Sequence, residues 1–473
     1  MQTLHAFTTW EPLLTLLRAE HADRLAGGTG HVAGSISPTG WSLSLPLTDR
    51  LPPRGEPMVF PDRQPVTRAV APLQRALAEA GVREVMFGAD ISPDGRTVLH
   101  LFGTSPAVAS AFGSPSPGTL LLVDDAVAEP WRRPPAPASG AVPAPSADPG
   151  LLERTLRERL PDAVGATEEE IAAAEVRLGV TLPEELKALY RATRVRPAGP
   201  DGSGDWEADF AEQQAAEAAV GCELSPLEWL FTADADTRPC PWQYAATEAV
   251  ATPPDAAVQD LVGSPGWIGF GSNGGDTFAV DLTPGPRGHL GQVILIDHEQ
   301  HIGAELYGES LTELVLNGFE RCAPRGRDRQ RLPVTARVGD HHELSDLTSA
   351  AHPALEVVEI FRHGGAPLSL APVAGLPRLR TLTAHPGTLA DPLEVTGLGE
   401  LEYLGLGVEE WRALLDAGAV PPTLLAACVE VRGDEHPSTV VDMANELLAL
   451  RGRPLIPRTT VHGRLRLADP SGR

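Results

Sequence analysis

Apolar positions recur along this chain with two periods. Trp10, Leu13, Leu14, Leu16 and Leu17, and again Val66, Val70, Leu73 and Leu77, fall at the spacing that gathers side chains on one face of a helix. "HVAGSIS" and "WSLSLPL" read as strands. "REVMFGADISPDGRTVLHLFG" reads as two strands joined at Ser92-Pro93-Asp94-Gly95, where Pro presets φ and Gly supplies a positive φ. Together these elements predict a small α+β domain over residues 1–124, without recognisable chemistry. The Pro/Ala-rich stretch "EPWRRPPAPASGAVPAPSADPG" lacks the apolar periodicity of a core and predicts a linker over 125–150.

A second domain is expected over 151–325. In "GATEEEIAAAEVRLGV", Thr167 and Glu170 can form a capping box, Glu168 and Glu169 suit the positive end of the helix dipole, and Ile171, Ala174 and Leu178 line one face before Gly179. "TLPEELKALYRAT" predicts a further helix, opened by Pro183. "TFAVDL" and "GQVILID" have the length and composition of strands, and "SLTELVLNGFERC" that of a closing helix.

The third segment, 330–473, repeats. "LEVVEI" from Leu355, "LRTLTA" from Leu379, "LEYLGL" from Leu401 and "LLAACV" from Leu424 share one pattern at intervals of 24, 22 and 23 residues. That spacing predicts a short leucine-rich-repeat-like solenoid closed by the helix "PSTVVDMANELLALRG", with a parallel α/β arrangement without true repeats as the alternative. The fold class expected is thus α/β (α+β) and multidomain.

A net charge of −25 argues against nucleic acid and anionic membrane surfaces as partners. Lys187 is the only lysine, a usage that fits a GC-rich genome. Cys222, Cys240, Cys322 and Cys428 are far apart and form no C-x-x-C pair, so reduced thiols are expected. The N-terminal stretch lacks the pattern of a signal peptide, and no window has the ~20 apolar residues of a membrane span, so a soluble cytoplasmic protein is expected.

"WIGFGSNGGDTFAVDL" holds Gly269, Gly271 and Gly274 in the G-x-G-x-x-G pattern of a dinucleotide loop. Such a loop needs a helix after it, because the helix N-terminus binds the pyrophosphate. Here a strand pattern follows, so the glycines read as a turn between strands, with Asn273-Gly274 at its tip and no cofactor. A nucleotide-binding enzyme using this loop is retained only as a pattern match. "DHEQHIG" gives His298-Glu299-x-His301, one residue short of the helical H-E-x-x-H zinc motif, and reads as a polar turn; "GDHHEL" is equally incomplete. No metal site or catalytic constellation is expected. Between Pro197 and Thr237 lie ten acidic residues, Asp205, Glu207 and Asp209 among them, and no Lys or Arg. This run is either a solvated face or a docking surface for a basic protein.

Three blocks carry a resemblance to the SUKH superfamily, which includes Smi/Knr-type regulators of yeast cell-wall synthesis and bacterial immunity proteins. The first block has Thr167, Ile171, Glu175, Leu182, Pro183 and Tyr190; the second, "WIGFGSNGGDTFAVDL", has Trp267, Gly269 and Asp281; the third is "GQVILIDHE". The resemblance implies a mixed sheet with flanking helices and no catalytic apparatus. It also implies a protein partner, as in family members that neutralise nuclease or deaminase toxins. Asn273, Gly274, Asp276, Asp205, Glu207 and Asp209 are the candidate contacts. The alternative function is a regulatory scaffold that binds through the repeat segment.

Overall fold

A computed structural model describes residues 4–25, 30–43, 63–109, 117–195, 206–300, 302–319, 334–342, 344–431 and 435–466. It is a mixed α+β structure in two compact units, one formed by residues 1–126 with 335–473 and the other by residues 127–334. No helix among the described residues is long and apolar enough to cross a membrane.

In the first unit, the helical periodicities near the N-terminus become helices Phe7–Glu20 and Gln64–Ala80. Trp10, Leu13, Leu14 and Leu17 are buried with Val70, Leu73 and Leu77 against an antiparallel sheet. The SPDG turn joins strands Val85–Ile91 and Arg96–Phe102, with Gly95 at φ +84°. The outer neighbour of Arg96–Phe102 comes from the far end of the chain: strand Arg458–Arg464 pairs with it antiparallel, from Arg458 opposite Phe102 to Arg464 opposite Arg96. The N- and C-terminal segments, read from sequence as separate domains, therefore share a sheet.

The C-terminal segment contributes five parallel strands: Thr335–Val338, Val357–Ile360, Thr381–Ala384, Tyr403–Gly407 and Ala426–Glu430. Four begin two residues after the leucines that open the repeat pattern. The first, Thr335–Val338, has no counterpart among them. Short 3-10 turns at Ala371–Val373 and Pro392–Gly397 return the chain between strands. Leu355, Leu379, Leu401 and Leu424 are all buried. Strand Thr119–Leu121 then adds to the edge, Leu121 opposite Ala426, so this sheet too is completed by the N-terminal segment. Helix Pro437–Leu450 packs Val440, Val441, Met443, Ala444, Leu447 and Leu448 into the same core.

The second unit has the strand order Glu305–Gly308, Gln292–Ile296, Thr277–Asp281, Trp267–Ser272, Glu223–Leu224, with Phe231–Thr232 also paired to Trp267–Ser272. Alternation sends Ile268, Phe278, Val280 and Val293 to the face covered by helices Pro149–Arg159, Glu168–Leu178 and Glu184–Ala192. Trp267, Ala279 and Ile294 go to the opposite face, against Ala233 and Leu261. The Pro/Ala stretch expected as a spacer is fastened to this unit. Buried Trp131 donates its indole N–H to the Arg238 carbonyl (3.2 Å). Ala136 exchanges two hydrogen bonds with the Gln259 amide, at 2.8 and 2.9 Å. The Leu290 amide donates to Val142 O (3.0 Å), and the Asp148 amide donates to Thr312 Oγ1 (3.1 Å). Proline fixes the extended backbone and leaves such groups free for partners outside the stretch.

Candidate functional site: an acidic hairpin and its neighbouring cavity

The first block of residues singled out from sequence lies on the helices that brace the sheet and at their ends. Thr167 Oγ1 accepts from the Glu170 amide (3.3 Å), and Glu170 Oε2 accepts from the Thr167 amide (2.8 Å), closing the capping box. Ile171 is buried in the helix–sheet core. Glu175 joins two elements: its Oε1 accepts from the Leu182 amide (2.9 Å) and lies 2.9 Å from Lys187 Nζ. The Lys187 ammonium holds the Glu175 carboxyl below its ordinary range. Leu182 is buried beside Pro183, which precedes helix Glu184–Ala192. Tyr190 is fully buried and donates its hydroxyl to Ser225 O (2.8 Å), tying this helix to the approach of strand Glu223–Leu224.

The G-x-G-x-x-G pattern lies in a β-hairpin, strand Trp267–Ser272 against strand Thr277–Asp281. Each glycine has its own reason. Phe278 pairs with Gly271 and Ala279 with Gly269, so Phe270 is the extra residue of a β-bulge. A Cβ at Gly269 would stand 2.6 Å from the Phe231 ring, and one at Gly271 would stand 2.8 Å from Glu223 O. These two glycines admit the strands packed alongside, and Gly274 makes the turn at φ +94°. No helix N-terminus follows to receive a phosphate.

Trp267 and Asp281 face each other in this register, and both are fully buried. Asp281 accepts from the Thr283 amide (2.8 Å) and from Gln292 Nε2 (2.9 Å). Burial nevertheless dominates and pushes its carboxyl up to about 6. The turn itself is a small polar network. Asn273 Oδ1 accepts from the amides of Gly275 (3.1 Å) and Asp276 (2.8 Å), while Asn273 Nδ2 donates to Asp276 Oδ2 (3.0 Å). His298 Nδ1 is 2.8 Å from Asp276 Oδ1. Burial raises the Asp276 carboxyl, but hydrogen bonds from His298 and Asn273 outweigh it and leave the group below its ordinary value. Reciprocally, the hydrogen bond to Asp276 raises the His298 imidazole.

Asp276, Asp297 and His298 have potential ligand atoms within 4.8 Å of one another. Asp276 and His298 bond each other, and Asp297 Oδ1 accepts from the Glu299 amide (2.7 Å). His301 lies outside the described residues.

Beside the hairpin is a cavity of about 350 Å³, lined by Phe278, Tyr307, Phe319, Cys222, Glu217 and Glu223, with Ser272 and Asn273 at the hairpin side. Of the acidic candidates, Asp205 lies outside the described residues, and Glu207 and Asp209 fall within helix Trp206–Val220. The acidic side chains that line the cavity are Glu217 and Glu223. Both belong to the arginine-free run, but nothing in their spacing separates them from the rest of it.

Residues 165–317 match the SMI1 / KNR4 family (SUKH-1). A glucan synthesis regulatory protein of Neurospora crassa is 39% identical over 67 residues, which make up 14% of this chain and 13% of that protein. The chain thus spans about an eighth of that relative's length. The family match supports the SUKH superfamily for this part of the chain and points to a regulatory or immunity-type module, not a catalyst.

Proposed function

We propose that the chain is a non-enzymatic, cytoplasmic protein-binding module of immunity or antitoxin type. Its partner, a toxin domain of nuclease or deaminase type, meets the hairpin tip at Asn273, Gly274 and Asp276 and the acidic side chains next to it. The observation that carries this reading is the family match over the unit that holds the hairpin, where a strand and not a phosphate-binding helix follows the glycines. Asp205, Glu207 and Asp209 belong to the same acidic run and extend the proposed contact. Co-expression with toxin domains encoded beside it tests the proposal. Rescue of growth and co-purification are expected with one of them, and neither with any would overturn it.

A second reading is a regulatory scaffold. It is favoured by the name of the Neurospora protein and by the five parallel strands repeating every 22 to 24 residues. In this reading they form a leucine-rich-repeat-like array that binds the partner. Charge substitutions on those strands, such as Arg337→Glu, separate the readings: loss of capture favours the array, retention favours the hairpin unit.

A further inference from the structure

We propose that the cavity beside the hairpin receives an arginine side chain from a basic protein partner; this rests on the protein-binding reading and adds the chemistry of the contact. The cavity combines two features that suit a guanidinium. One is aromatic: Phe278 lies 5.0 Å from both Tyr307 and Phe319, ring centre to ring centre, and Tyr307 lies 5.8 Å from Phe319. Tyr307, half-buried, is held by its hydroxyl donating to Phe319 O (2.7 Å). The other is anionic. Glu223 accepts from Ser272 Oγ (2.8 Å) and Gln213 Nε2 (3.4 Å), neutral donors that orient the carboxylate without cancelling its charge.

Among the described residues, neither Glu217 nor Glu223 forms an ion pair with Lys or Arg. Their field is felt at the cavity wall: burial first, then the charges of Glu217 and Glu223, push the Cys222 thiol up to about 12. An anionic site lined by aromatic rings favours a flat, weakly hydrated cation that can stack and donate in a fork. An ammonium is more strongly hydrated and loses more on entering. The volume is at the lower end of the ~300–1,000 Å³ of small-molecule pockets, which suits one long side chain. Gly221 admits the Phe319 ring to the wall, since a Cβ there would stand 2.9 Å from it.

The test titrates the full chain with N-acetyl-L-argininamide, its lysine counterpart and its uncharged citrulline counterpart, following the amide resonances of Gly221 and Gly274. Saturable shifts with the arginine compound are expected, weaker by about tenfold or more with citrulline or in a Glu217→Gln/Glu223→Gln variant. The exposed pair Glu79→Gln/Glu400→Gln, both in the other unit and with the same change in net charge, is expected to bind as the parent does. Equal binding of all three compounds, or equal loss in both variants, would overturn the proposal. So would a response appearing only after Arg325, Arg327 and Arg329 are changed to Gln, because the chain's own arginines would then be the occupant. The two levels of the argument separate cleanly. A captured partner indifferent to Glu217→Gln/Glu223→Gln removes the arginine assignment and leaves the protein-binding reading. Selective argininamide binding without any partner does the reverse.

Discussion

The two units are assembled from the chain in opposite ways. Residues 127–334 form an uninterrupted segment, and the strands of the central hairpin are separated by a four-residue turn. The other unit joins segments from both ends: His100 and Thr460, 3.2 Å apart, are 360 residues apart in sequence. Local pairing is written in turn residues and periodicity, whereas distant pairing leaves no mark in either strand alone. A β-rich segment near one end can therefore look like a whole domain while lacking its outer strand.

The largest expected break in this contrast comes from ending the chain at Val334. The 127–334 unit should keep its own cooperative transition, while residues 1–126 lose strands on two sheets and are digested. Limited proteolysis followed by mass spectrometry of the surviving fragment checks this, and a protected N-terminal fragment would show that it folds alone. Next, Trp10→Ala and Trp267→Ala each empty the place of a fully buried indole, one in each unit. Each should cost about 3–5 kcal/mol in its own unit and leave the other's transition in place, as read by denaturant unfolding.

Acidity should sharpen the same comparison. Asp281 is held at about 6, above its ordinary 3.8, so folding favours the protonated acid. Its contribution is whole below about pH 4 and lost as pH rises to about 6, up to ~3 kcal/mol. Asp281→Asn should thus gain stability relative to the parent across that window. His100, lowered from 6.5 first by burial and then by Arg458, behaves oppositely in the other unit. Its contribution is present above pH 6.5 and is lost as pH falls through the lowered value. Unfolding curves between pH 4 and 8 with parent, Asp281→Asn and His100→Phe would show the two slopes. The smallest effect is expected from Gly274→Ala. Its new methyl meets nothing within 4 Å, yet φ is +94°, so a loss of about 1–2 kcal/mol confined to the hairpin unit should appear in its denaturation midpoint.

Much of the local structure was legible because its causes are local. Thr167 and Glu170 formed the box their spacing allows, and the strand pattern after Gly274 excluded a phosphate-binding helix. The repeat leucines at 355, 379, 401 and 424 marked the starts of four parallel strands. The strand at Thr335–Val338 escaped because it carries no such leucine, and Arg458–Arg464 because "RTTVHGR" is largely polar and five of its seven residues stay exposed. The Pro/Ala stretch was misleading for another reason. Its composition describes backbone stiffness, while its attachment depends on Gln259, Arg238 and Thr312 far along the chain. The candidate site divided in the same way. The turn residues Asn273 to Asp276 were readable as a turn. That His298 would close on Asp276, and that Glu217 and Glu223 would stand beside three aromatic rings, depends on packing that no short window contains.

The pairing of Arg458–Arg464 with Arg96–Phe102 also sets an order of events during synthesis. A ribosome delivers residues 1–126 before 127–334, yet their sheet stays without its edge until the strand near residue 460 has emerged. The segment 127–334 can finish folding during that interval. Residues 1–126 are thus made before 127–334 yet completed after it, and in the meantime their unpaired strand edge is a surface in need of a chaperone's cover.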